Sequence, residues 1–405
     1  MAPFFGWRVV AAAFVVAVFG WGFGFYGPAI YLHAVVERTG WSVALVSGAV
    51  TLHFLAGAAV VPGLPRLYRS AGLPRVTLVG AVLLALGVIG WALAAEPWQL
   101  LGAALASGAG WVTLGAAAIN AMVSPWFVRK RPAALSMAYN GASIGGVIFS
   151  PLWVALIAGF GFPLAALGGG LVMVAAVALL AFGILAWTPA GKGQLPDGDA
   201  PGLGPALPAR GPVAPLALGK LRRDRRFATL AGGMALGLFA QIGLIAHLVS
   251  VLAPVLGAQA AGLLMGAATA SAIVGRTLVG YLMPEGADRR LVACLSYGVQ
   301  AIGSLVVLAS GGADVPLLVV GVLLFGSGIG NATSLPPLIA QAEFAASDVA
   351  RVVPLIVAIG QATYAFAPAT FGVLRSLPAG SGALFLAAAL VQAAAILCML
   401  AGRRR

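Results

Sequence analysis

The sequence predicts an all-α membrane protein: twelve transmembrane helices in two six-helix pseudo-symmetric halves. Three observations predict it. Of 405 residues, 61% are hydrophobic and only 8% charged, whereas a water-soluble domain is roughly half apolar and a quarter charged. The apolar residues fall in unbroken runs of about 20 or more, long enough to cross a bilayer as helices. They do not alternate as barrel strands would, and hydrocarbon allows only helices or closed barrels. Finally, one long polar interval near the middle has six such runs on each side.

The first run, 8–32, follows "GWRVV". It is too long for a signal-peptide core and lacks a clear cleavage site, so a retained span is expected. The next runs, 42–66 and 73–95, are separated by "PRLYRSAGLPR". Run 98–124 ends at "SPWFVRKR", 131–158 at a Gly-Phe-Gly-Phe-Pro break, and 162–187 at "TPAGKG". Gly191–Arg226 is rich in Pro and Gly and cannot build a core, so a flexible linker is expected there. Runs 227–253, 260–284, 290–310, 315–342, 349–374 and 380–402 follow. The expected organisation is residues 1–188 and 227–405 as the two halves, joined by a cytoplasmic linker, 189–226.

Charge placement orients the spans. With the amino terminus inside, 20 of the 23 Lys and Arg residues lie in breaks on the inner side; Arg38 and Arg375 lie outside, and Arg276 lies within a span. This asymmetry predicts that both termini are cytoplasmic. The net charge of +13 therefore reports topology, and a nucleic-acid partner is excluded because the cations are confined to short breaks. "KLRRDRR", Lys220–Arg226, reads either as an anchor for the seventh span or as a helix on anionic headgroups. Cys294 and Cys398 sit in apolar runs without metal-like spacing and read as buried small residues. No nucleotide-binding loop, metal cluster or catalytic triad is present, so no enzyme activity and no cofactor is expected.

The halves echo each other: "SGAGWVTLGAAAIN" in span 4 pairs with "FGSGIGNATS" in span 10, and "PRLYRSAGLPR" after span 2 with "GYLMPEGADRR" after span 8. Six plus six spans around a polar linker resembles the major facilitator superfamily. "GWRVV", "GWSVALVSG", "WFVRKRPAALSMAYNGASIGG" and "VGRTLVG" are similar to the monocarboxylate and oxalate–formate branches. The resemblance covers nearly the whole chain outside the linker and implies alternating access around a central site. Three departures stand out. The loop after span 2 carries Pro65 and Arg69 where that family has Gly and Asp. Ala272 stands where monocarboxylate transporters often have an Asp four residues before the span-8 Arg. Ala29 follows Pro28 where many have a Lys. The last two changes remove proton-coupling groups and leave the anion site.

Arg276 lies roughly 12 Å inside the end of its span at 1.5 Å per residue. A charge at such depth costs at least about 2.5–3.5 kcal/mol unless it is paired or faces a wet cavity. Its planar fork suits a carboxylate; snorkelling, or pairing with backbone carbonyls and Glu343, are the structural alternatives. One cation argues for a monocarboxylate, and span 11 adds none. Polar side chains expected to line a central cavity are Tyr26 and Tyr31 in span 1, Asn120 in span 4, Asn331 in span 10, and Gln361 and Tyr364 in span 11. Each of these also reads as a helix–helix hydrogen-bonding residue. His53 and His247 are candidates for a proton relay, with neutral hydrogen-bonded histidines as the alternative.

The sequence thus implies a monomeric carrier of a small organic anion, with protons as a second candidate cargo, in a bacterial inner membrane. Proton-antiport efflux and a transporter-like sensor are the alternatives.

Overall fold

A computed structural model describes residues 3–199, 221, 223–284, 287–378 and 380–403. Among the described residues, twelve helices are long and apolar enough to cross a membrane. In order they are α1 (Gly6–Thr39), α2 (Val43–Ala71), α3 (Leu73–Leu93), α4 (Pro97–Trp126), α5 (Arg131–Phe160) and α6 (Phe162–Leu185). Then come α7 (Arg225–Leu256), α8 (Ala258–Leu282), α9 (Arg289–Ala309), α10 (Val315–Glu343), α11 (Arg351–Arg375) and α12 (Gly380–Ala401). Each expected span has its helix, with ends shifted by a few residues. The largest shift is in α1, which runs past 32 to Thr39 because Arg38 is not left in hydrocarbon. Its guanidinium donates to the carbonyls of Ala94 and Trp91 at 2.8 and 3.4 Å, where α3 ends.

Acidic residues start several helices. Asp224, Asp288 and Asp314 accept N–H groups from the first turns of α7, α9 and α10. Glu96 and Gln99 form a capping box on α4. These carboxylates satisfy donors that the first turn leaves without partners.

The chain forms two compact units, Met1–Trp41 with Leu52–Ala209, and Ser42–Thr51 with Arg210–Arg405. Within the first, α1 packs on α5, and α3 on α4 and α6; within the second, α7 packs on α11, and α9 on α10 and α12. The packing repeats in detail. A Cβ on Gly110 of α4 would meet the backbone of Gly80 and Leu84 in α3, and one on Gly328 of α10 would meet Gln300 in α9. A glycine thus opens each crossing. The buried side chains of α3 include Ala81, Leu84 and Val88, and those of α9 include Tyr297, Gln300 and Ser304.

Of the linker, residues 200–220 and 222 lie outside the described residues, and so do five of the inner-side cations, Arg210, Lys220, Arg222, Arg404 and Arg405. Its first residues dock on the first unit. Gln194 accepts the Phe5 N–H at 2.9 Å. Asp197 accepts the N–H groups of Val128, Arg129 and Lys130 at 2.8–3.3 Å. Asp197 is the one non-glycine with positive φ among the described residues, at 63°. The expectation of flexibility thus fails for this segment, because a polar chain that offers acceptors can satisfy a loop whose amides otherwise lack partners. Burial pushes the Asp197 carboxyl up, but these N–H groups and the Arg129 guanidinium outweigh it and hold it below the ordinary aspartate value.

Candidate functional site

The structure distributes the expected site residues over both units, and each set is described within its own unit. In the first, Asn120 is exposed on α4 and its Oδ1 accepts the Ser124 hydroxyl one turn on. The Tyr139 hydroxyl donates to the Ala116 carbonyl at 2.9 Å, and its ring meets Trp21 edge-on at 6.4 Å. Trp21 of α1 and Tyr139 of α5 therefore meet beside Ala116 of α4, one turn before Asn120. Trp21 was not expected from the sequence, because an indole in an apolar run carries no signal of which side it faces.

Tyr26 is buried beside the interruption of α1. Tyr31 is 1% exposed, with its ring stacked on Phe162 at 5.3 Å and edge-on to Trp153 at 5.1 Å. That aromatic core gives Tyr31 a packing role.

In the second unit, Arg276 reaches from α8 to α10. Its Nε and Nη2 lie 2.7 and 3.0 Å from the point where a Cβ on Gly330 would sit, so a glycine at that position makes room for the guanidinium. Next to it, Asn331 is 3% exposed, and its Oδ1 has no hydrogen-bond partner among the described residues. Gln361 and Tyr364, one turn apart on α11, meet side chain to side chain. The alternative partner for Arg276, Glu343, has both carboxylate oxygens engaged by Arg290, at 2.6 and 2.8 Å.

Both histidines are deep in their units. His53 bonds the Ser107 hydroxyl and the Gly24 carbonyl, each at 2.8 Å. His247 bonds the Pro368 carbonyl at 3.0 Å. Among the described residues no group of three or more His, Cys, Asp or Glu could hold a metal ion.

Twelve apolar helices in two compact units, with charge and hydrogen-bonding groups placed inside them, define a multi-pass membrane protein. The chain belongs to the Major Facilitator Superfamily, whose family model matches residues 12–368. Among curated proteins it is similar to monocarboxylate transporter 11 of Mus musculus, 32% identical over 239 residues, 57% of this chain and 48% of that protein. It is also similar to monocarboxylate transporter 11 of Homo sapiens, 29% identical over 295 residues, 69% and 57% of the two chains. The chain thus spans about half the length of the curated relatives it matches. Among solved structures, the nucleoside transporter NupG superposes with TM-score 0.71 at 12% identity, over 99% of this chain and 98% of that one. A bacterial homologue of the human lysosomal transporter Spinster gives TM-score 0.65 at 15% identity, over 99% and 96%. These likenesses concern the fold.

Proposed function

We propose that this protein is a secondary transporter that moves a small organic monocarboxylate anion by alternating access, with Arg276 as the group that receives the carboxylate. The observation that carries the reading is the guanidinium of Arg276 inside the span, directed onto α10 at Gly330. Its fork matches a carboxylate in two parallel hydrogen bonds. Asn331, with Gln361 and Tyr364 on α11, supplies neutral donors and acceptors for the rest of the solute. Similarity to the two monocarboxylate transporters supports the substrate class. A second carboxylate would bring an uncompensated desolvation cost of several kcal/mol, so monocarboxylates are favoured over oxalate or succinate. The charge asymmetry of the loops supports cytoplasmic termini in a bacterial inner membrane. Proton symport, anion exchange and uniport all fit this reading.

The test begins with a thermal-shift screen of organic acids on the purified protein, followed by counterflow of the labelled hit in proteoliposomes. Arg276→Lys keeps the charge but loses the fork, and affinity is expected to fall by about 1–3 kcal/mol. Undiminished counterflow by a normally inserted Arg276→Ala protein overturns the assignment. A chain that binds an acid but shows no counterflow is a sensor.

A further inference from the structure

Two of the three histidines, His53 and His247, reach the places where a helix is interrupted. In the first unit, α1 consists of Gly6–Gly24 and Gly27–Thr39. Gly24 closes the first piece, so its carbonyl is among those a helix end leaves without an internal partner. His53 Nε2 lies 2.8 Å from it. A carbonyl only accepts, so Nε2 carries the proton. The Ser107 hydroxyl meets Nδ1 at 2.8 Å, and Ser107 Oγ accepts the Trp91 indole N–H at 3.2 Å. The other rings against His53 are Phe54 and Trp111.

In the second unit, α11 is interrupted between Tyr364 and Ala367. His247 Nε2 donates to the Pro368 carbonyl at 3.0 Å. The other side of the same peptide bond, the Ala369 N–H, donates to Thr51 Oγ1 at 3.0 Å. Ala369 is the third residue of its helical piece. The N-cap, Phe366, makes no side-chain cap. Thr51 therefore supplies from another helix the acceptor that an N-cap Ser or Thr ordinarily gives. In hydrocarbon no water is at hand to replace either bond. The charged group nearest this arrangement is Arg375, which donates to Ser250 Oγ and to the Ser250 carbonyl; Ser250 Oγ in turn donates to the His247 carbonyl.

We propose that His53, His247 and Thr51 are positioning residues of the transporter: two fixed N–H donors and one fixed acceptor that hold the interruptions of α1 and α11 in shape. The role requires a donor at the Nε2 position, not a proton that is taken up and released. It does not depend on which solute is carried. Tyr26 and Tyr364, both named above as candidate solute contacts, flank the two interruptions, so the same bonds fix where those hydroxyls stand.

The test is hydrogen–deuterium exchange of the full-length protein in nanodiscs, at about pH 6 and about pH 8, with intrinsic rates corrected. Glutamine places an amide N–H close to the histidine Nε2 position. His53→Gln and His247→Gln are therefore expected to keep exchange around Gly24 and Pro368 within about twofold of the parent. His53→Leu and His247→Leu are expected to raise it about tenfold or more, each at its own interruption. Thr51→Ser should preserve the protection of Ala369 and Thr51→Val should lose it. Unchanged exchange in the leucine or valine variants overturns the proposal. So does corrected exchange that differs between the two pH values in the parent but not in the glutamine variants, which is the behaviour of a titrating carrier. If the leucine variants do not fold, the parent and the glutamine and serine variants still decide.

Discussion

The two units fasten equivalent loops by different means. In the first, the α4–α5 loop is held by a residue from outside the spans: Asp197 sits in a concavity of three successive backbone amides, with Arg129 beside it. In the second, the end of α10 is held by its neighbours. Glu343 pairs both oxygens with Arg290, which is 1% exposed. The remaining Arg290 donors are taken by Thr229 Oγ1 and the carbonyls of Arg226 and Met399. One fastening is a carboxylate on backbone dipoles, supplied by a segment that could be deleted. The other is an ion pair whose arginine is buried among α7, α9, α10 and α12, with the glutamate partly exposed. A buried pair is costly to break from one side, because the survivor keeps its desolvation penalty. A carboxylate on amides loses less, because a surface loop can recruit water.

The largest expected effect follows from that contrast. Glu343→Gln leaves the Arg290 charge uncompensated and is expected to destabilise the protein by about 3–5 kcal/mol, read as thermal unfolding in detergent. Replacing both partners, Glu343→Leu with Arg290→Met, should recover most of the loss. If the double variant is as unstable as the single, the pair is not the fastening. Asp197→Ala should cost about 2 kcal/mol, with increased proteolysis at the α4–α5 loop as the local readout. Its pH dependence has a definite sign. The folded Asp197 carboxyl is held below its ordinary value, so its stabilisation is fully present above about pH 4. It is lost as pH falls further, through the lowered folded value. Asp197→Asn should therefore flatten the acid limb of loop proteolysis and leave the neutral limb parallel to the parent.

A smaller effect tests the difference between the α3 and α9 cores. Gln392 donates to Gln300 at 3.2 Å, both fully buried. Gln392→Leu alone strands the Gln300 amide and should cost about 1–2 kcal/mol. Gln300→Leu with Gln392→Leu restores an apolar core like that around Leu84 and should cost less than the single change. At the surface, Arg403→Ala removes a pair with Asp288 in which both side chains are more than a third exposed, and should change stability by about 0–1 kcal/mol.

What the sequence made legible follows the same division. The twelve spans could be read because hydrocarbon penalises every polar residue, so their borders are marked by charge and by Gly and Pro. Arg276 could be read because a lone charge in an apolar run is conspicuous. Its contact with Gly330 could not, since that depends on how α8 and α10 cross. Tyr31 shows the limit from the other side. A tyrosine in a span signals either a wet face or a buried ring, and only the positions of Trp153 and Phe162 decide. The histidines were conspicuous as titratable groups, but their bonds run to main-chain carbonyls that no residue type advertises. The docking of Gln194 and Asp197 was hidden by composition, because a Pro- and Gly-rich stretch looks unstructured until the amides that receive its side chains are placed.

That docking also has a bearing on synthesis. Gln194 accepts the N–H of Phe5 across 189 positions of the chain. A ribosome must therefore complete all of α1–α6 before the first turn of α1 can be fastened. Until then the amino-terminal turn waits without its final partner. Once residue 197 has emerged, the first unit can close by itself, ahead of α7–α12. The fastening thus becomes available only when half of the spans have been made, and it needs no residue of α7–α12.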